Sequence, residues 1–129
     1  MAKVVVDTSV IIDHLRIGKG LWEELVKLVE ARELELYCSP IVITELWAGE
    51  SINKDSMRQK IEKLIALLKR IEISDSLAMR AGELMRVYGL SGFDALIAAS
   101  ALEINASVAT ANFKHFKKVV GLKSFETKI

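Results

Sequence analysis

Three carboxylates stand in stretches that are otherwise apolar: Asp7 in "VVVDTSVIID", Glu45 in "SPIVITELWAG" and Asp94 in "SGFDALIAASAL". A fourth polar residue, Asn112, follows "SVAT" within "TANFKHF". A carboxylate taken out of water needs a cation or hydrogen-bond donors to offset the lost hydration. Local roles are available for two of them. Asp7 can cap the helix that follows it, and Ser91-x-x-Asp94 has the form of a capping box with an anion in the first helical turn. Glu45 is harder to account for locally. A helical turn of about 100° per residue surrounds it with Ile41, Val42, Ala48 and Gly49, an apolar or small-residue face.

If these positions meet in one cleft, their chemistry changes. Unit charges about 4 Å apart repel by about 4 kcal/mol at an effective dielectric of about 20. Such a pocket must either take up a proton or hold a cation. Its donors are all oxygen, with no Cys/His cluster at zinc spacing, which favours Mg²⁺ or Mn²⁺. The two histidines, His14 and His115, have no ligand partner at helical spacing and read as structural or surface residues.

The elements that would position the acids alternate between strand and helix. Val4–Val6 is a β-branched run that reads as a buried strand. A short helix from Thr8 or Ser9 to Leu15 ends at Gly18 and Gly20, and a second runs from Leu21 to about Ala31. "ELYCSP" returns to strand, after which Ser39 and Pro40 are an N-cap and a first helical residue. That helix extends to Gly49, and the next begins near Asp55 with a stripe of Met57, Ile61, Leu64, Ile65 and Leu68. "RIEIS" is a brief strand. Helices then cover Asp75–Tyr88, closed by Gly89, and the nearly uncharged stretch after Ser91. "SVAT" is a further strand and "KSF" a last one. This alternation predicts an α/β fold with a mostly parallel sheet and helices on both faces. Sites in such folds form beyond the carboxyl ends of the strands, where Asp7 lies.

The bulk properties fit one globular domain spanning 1–129, because at this length roughly two-thirds of the unfolded chain's surface is buried on folding. The single cysteine, Cys38, cannot form an internal disulfide, and no secretory pattern is visible at the amino end. A soluble, cytoplasmic protein without a membrane segment is expected. The net charge of +1 conceals segregated blocks. Residues 1–50 carry five Lys/Arg against nine Asp/Glu, 51–70 six against two, 71–106 two against five, and 107–129 five against one. A polyanion therefore finds basic ground in two places. Lys54, Arg58, Lys60, Lys114, Lys117 and Lys118 are candidates to hold a phosphate backbone.

In their order and intervals, "VVVDTSVIID", "SPIVITELWAG", "GFDALIAASAL" and "VATANFKHF" resemble the four motifs of the PIN-domain nucleases, and most closely the VapC toxins of toxin–antitoxin pairs. The resemblance covers essentially the whole chain. It implies a three-layer α/β/α sandwich and Mg²⁺- or Mn²⁺-dependent RNA hydrolysis that leaves a 5′-phosphate and a 3′-hydroxyl. Asp7, Glu45 and Asp94 match the family's acidic, metal-holding site residues. Asn112 stands at the fourth site position, where the family often has aspartate, and so removes one charge. Thr8 and Thr110 match supporting positions. A homodimer and a small antitoxin that covers the site are implied as partners, with Trp22, Trp47, Ile52 and Met57 shared between such contacts and the core.

Two other classes use similar elements. A phosphoacceptor receiver domain needs an acidic pair after its first strand and a lysine after a late one, whereas Asp7 has no adjacent acid and "SVATAN" has no lysine. A PIN-like binding module that has lost catalysis is the second, and Asn112 is the residue that speaks for it.

Overall fold

In the computed structural model, which describes residues 1–126, the valine run lies in a central strand, β1 (Ala2–Val6), with Val4, Val5 and Val6 all buried. β1 pairs on one side with β2 (Leu34–Cys38) and on the other with β4 (Ser107–Ala109). β3 (Lys69–Arg70) extends the sheet beyond β2, and β5 (Lys123–Ser124) extends it beyond β4. The order is β3-β2-β1-β4-β5, and all four pairings are parallel.

Parallel neighbours require crossovers, and the direction of these crossovers decides where the helices lie. α1 (Thr8–Ile17) and α2 (Leu21–Glu30) link β1 to β2, while α3 (Pro40–Ala48) and α4 (Asp55–Ala66) link β2 to β3. Both links step the same way across the sheet. α5 (Asp75–Tyr88) and α6 (Gly92–Glu103) then carry the chain back past β1 to β4. Because such crossovers are right-handed, reversing the step moves α5 and α6 to the opposite face. The result is the expected α/β/α sandwich. The reversal lies between β1 and β4, so a crevice opens beyond their carboxyl ends.

Local chemistry sets the element ends. Ser39 Oγ accepts from the Ile41 N–H at 3.3 Å, with Pro40 as the first residue of α3. Ser74 Oγ accepts from Leu77 N–H at 3.1 Å at the start of α5, and Ser91 Oγ from Asp94 N–H at 3.2 Å at the start of α6. Gly18 and Gly89 close α1 and α5 in the left-handed region, at φ +76° and +72°, where a side chain is strained. α6 is the most enclosed helix, burying Ala95, Ile97, Ala98, Ala99, Ser100 and Ala101. Ser100 satisfies its hydroxyl there by donating to the Leu96 carbonyl at 2.7 Å.

Some details differ from the sequence expectation. The strand at "RIEIS" starts one residue earlier and pairs only at Lys69–Arg70, with Ile71 N–H still donating to Cys38 carbonyl at 3.1 Å. β3 is an edge, so the residues after Ile71 have no further ladder to join. A 3₁₀ turn over Glu50–Asn53 also separates α3 from α4, where the sequence pattern marks no separate element. No helix among the described residues is long and apolar enough to cross a membrane. Because Ile97 of α6 is completely enclosed, Ile97→Ala should lower unfolding free energy by about 2–5 kcal/mol. Urea denaturation measures this directly, and a loss below about 0.5 kcal/mol would mean that α6 does not pack on the sheet as described.

Candidate active site

Asp7 is the first residue past β1, and its backbone N–H still bonds to the Ala109 carbonyl of β4 at 2.9 Å. This fixes the residue at the reversal point. Its side chain does cap α1, since Oδ1 accepts from Thr8 N–H at 2.9 Å. The cap uses only one oxygen. Oδ2 accepts from Ser9 Oγ at 2.9 Å and from Thr110 Oγ1 at 2.7 Å. The two hydroxyls are themselves held by backbone amides: Ala111 N–H donates to Ser9 Oγ and Asn112 N–H to Thr110 Oγ1, both at 3.0 Å. A hydroxyl has one proton, so with both protons directed at Asp7 the 3.2 Å approach of Ser9 to Thr110 is a close contact rather than a further bond. Asp7 is therefore a buried carboxylate with a fixed orientation, locked from both β1 and β4.

Thr8 connects this group to the second acid. Its Oγ1 donates to Glu45 Oε1 at 2.8 Å, which joins α1 to α3. Glu45 is half-buried. Burial raises its carboxyl above the ordinary range, the Thr8 hydroxyl pulls the other way, and the charges of Asp7 and Asp94 push it up further. Asp94, in the first turn of α6, keeps a side chain 27% exposed. Burial raises it too, followed by the charge of Asp7, while Ser91 and His115 oppose the rise. The charge of Asp7 thus reaches both other carboxyls, and that of Asp94 reaches Glu45, although the three come from different elements.

Asn112 is the exposed N-cap residue of a short 3₁₀ turn, Phe113–His115. Its backbone is tied to the site through Thr110, and its side chain makes no capping bond. His115 Nδ1 stands 3.8 Å from Asp94 Oδ2, so this histidine borders the acids rather than serving only as surface. Ser9 is the other residue the sequence reading passed over, having figured only as a possible helix start. The D-T-S run carries the signal, because hydroxyls one and two residues after a capping aspartate can bond its carboxylate. Trp22 is buried in the core, whereas Trp47 is 40% exposed. Ile52 and Met57 are partly buried against the core.

Among the described residues, no group of three or more His, Cys, Asp or Glu side chains is arranged to hold a metal ion as it stands. In kind, however, the donors suit a hard divalent cation, being all oxygen, anionic and mutually repelling. The arrangement is an acidic opening rather than a finished cage.

The family model of the PIN domain matches residues 4–122. The chain belongs to the PIN-domain family. Among curated relatives it is similar to "Ribonuclease VapC19" of Mycobacterium tuberculosis, at 30% identity over 116 residues, or 86% of this chain and 90% of the relative. Its fold is similar to a chain of VapBC2 from Rickettsia felis bound to a DNA fragment from their promoter, with TM-score 0.81 at 22% identity over 98% of this chain and 99% of that one. DNA-bound VapBC from Salmonella typhimurium gives TM-score 0.81 at 20% identity, over 97% and 98% of the two chains. A toxin–antitoxin complex from Klebsiella pneumoniae gives TM-score 0.73 at 25% identity, over 96% and 99%. These matches place this PIN-domain chain with the VapC-type members, as its motifs implied.

The raised Glu45 carboxyl has a consequence for stability. The unfolded chain loses the Glu45 proton near 4.5 while the folded chain still holds it, so stability is full below that pH and falls as pH rises through the folded value. Glu45→Gln, which keeps an acceptor for Thr8 but cannot ionise, should raise the thermal midpoint at about pH 7 in chelator. The gain should shrink to nothing below about pH 4, and a difference independent of pH would place Glu45 outside the acidic opening.

Proposed function

We propose that this chain is a divalent-metal-dependent endoribonuclease that hydrolyses RNA phosphodiester bonds, and that it is the toxin of a toxin–antitoxin pair. The observation that carries this reading is the fixed Asp7 carboxylate, coupled to Glu45 and Asp94 at the point where the sheet reverses direction. Asp7, Asp94 and Glu45 are the residues that would hold Mg²⁺ or Mn²⁺, which when bound supplies an activated water and neutralises charge on the phosphate. The remaining chemistry belongs to the chain. Ser9, Thr110 and the Thr8 amide keep Asp7 from rotating, so one ligand is oriented before anything binds. Thr8 holds Glu45 against the same opening. Asn112 contributes a neutral carbonyl oxygen or a bond to water at the fourth position, and it leaves the site one charge poorer than an aspartate would.

The partners follow from the same reading. An RNA strand, with its phosphates held by lysines on the rim, is the substrate. A cognate antitoxin is one protein partner, supported by a solved relative that is a toxin–antitoxin complex, and a second copy of the chain is the other. A cavity of about 200 Å³ beside Glu45, walled by Ile12, Leu15, Leu46 and Ile61, suits an apolar segment of that antitoxin. A second reading, a PIN-like module that binds RNA or protein without cutting, draws on Asn112 and on the open arrangement of the acids.

Incubating purified protein with total RNA in Mg²⁺, Mn²⁺ or chelator separates the two. Cleavage in metal alone, with 5′-phosphate ends, is expected. Asp7→Asn and Asp94→Asn should each lower the initial rate by about 10²–10³-fold with the circular dichroism spectrum retained. Unaltered cleavage by both variants would remove these residues from the mechanism. Asn112→Asp restores a fourth carboxylate, and Mn²⁺ titration by calorimetry should show tighter binding than in the native chain. Equal affinity would place residue 112 outside the metal's reach.

A further inference from the structure

The two flanks of the acidic opening differ in charge. On the Glu45 side, the lining of the cavity includes one cation, Arg16, and two acids, Glu45 and Glu50. On the Asp94 side, a cavity of about 340 Å³ is lined by Tyr88, Gly89, Leu90, Ser91, Asp94, Lys114, His115 and Lys118. Two lysines and an imidazole there face a single carboxylate. The basic block at 51–70 offers less, because three of its six cations are already engaged and none of the six lines either cavity. Arg58 pairs with Asp55 at 2.7 Å and lies 3.9 Å from Glu62, Lys69 pairs with Glu35, and Arg70 donates to the Ile65 and Leu68 carbonyls. Among the described residues, Lys114 and Lys118 have no ion-pair partner.

The polar groups lining the Asp94 cavity are nearly all donors. Ser91 Oγ accepts from Asp94 N–H and its hydroxyl also bonds the Asp94 carboxyl, whereas Tyr88 Oη accepts from Val120 N–H at 3.4 Å and its own proton has no acceptor among the described residues. A phenol proton, two ammonium groups and a ring N–H thus border a space that suits a ligand the size of a nucleotide phosphate with its sugar. The amino end of α6 adds partial positive charge at Ser91. Such a set recognises a phosphodiester by its oxygens and is indifferent to the base.

We infer that this cavity is a phosphate subsite for single-stranded RNA, held by Lys114 and Lys118 with Tyr88 and His115, which seats the phosphate next to the one being cut. This places the strand's approach along α6 and the turn after β4, and not along α4. The inference rests on the ribonuclease reading for its substrate, while its own content is the position of the neighbouring phosphate.

The test is fluorescence anisotropy with a labelled octauridylate over a series of salt concentrations in chelator, together with KM and kcat for cleavage of the same oligonucleotide in Mn²⁺. Lys114→Ala and Lys118→Ala should each weaken binding about 3–10-fold and flatten the slope of log affinity against log salt by about 0.7. Lys118→Arg should restore most of the binding, and cleavage should lose KM rather than kcat. Lys19→Ala, in the turn between α1 and α2, is the control and should change neither. If both alanine variants bind and cleave like the native chain, the subsite is wrong while the ribonuclease reading survives. If the native chain cuts no RNA in any metal but binding still falls in both variants, the subsite stands and the hydrolytic reading falls.

Discussion

The structure depends on an electrostatic cost placed deliberately at one spot. Asp7 is buried at the meeting of β1 and β4, and it raises the carboxyls of both Glu45 and Asp94. An apolar residue at any of the three positions would relieve the repulsion. The chain instead surrounds Asp7 with donors from both strands' ends, so that the anion is tolerated where the sheet leaves a crevice. Everything nearby serves that arrangement. The Asp7 N–H to Ala109 carbonyl bond locks the two strand ends together, and the Thr8 hydroxyl ties α1 to α3.

The donors divide into two kinds with different mechanical consequences. Thr8 N–H is a local partner that any capping aspartate would find. Thr110 is more than one hundred residues away in sequence, and its hydroxyl reaches Asp7 only when β4 has docked beside β1. The orientation of Asp7 therefore reports completion of the sheet. A cap alone would leave Oδ2 free to turn toward solvent, whereas the pair of hydroxyls holds Oδ2 while the Thr8 N–H holds Oδ1. That is the difference between an aspartate that ends a strand and one that is oriented in advance for a ligand.

Much of this was legible in the sequence because it is local. The β-branched Val4–Val6 run, the Ser39-Pro40 start and the Gly89 stop each carry their own geometric reason, and the elements followed. The acids were legible through their apolar neighbours. What local reading missed depends on contacts between distant segments. Ser9 bonds Asp7 locally, but its hydroxyl is anchored by the Ala111 N–H only because the turn after β4 comes alongside it. His115 lies beside Asp94 only because the turn after β4 folds back against the start of α6. The strand at Lys69–Arg70 was placed one residue late because an edge strand takes its limits from its single neighbour, and β2 ends at Cys38.

The block charges acquire a meaning that composition alone could not give. Two segments of equal excess positive charge look equivalent along the chain, yet folding engages their cations unequally. In α4 and β3, Arg58, Lys69 and Arg70, three of the six cations of that segment, are drawn into ion pairs or carbonyl contacts. After β4 the excess stays free and faces an acid. An exposed ion pair contributes little to stability, on the order of 0–1 kcal/mol, so the stronger effect of the pairing in α4 is on the local field. The formal charges lining the two flanks of the crevice therefore differ, two lysines beside Asp94 on one side and one arginine against two glutamates on the other. Charges divided in this way favour a polyanion on the Asp94 flank and a cationic partner on the Glu45 flank.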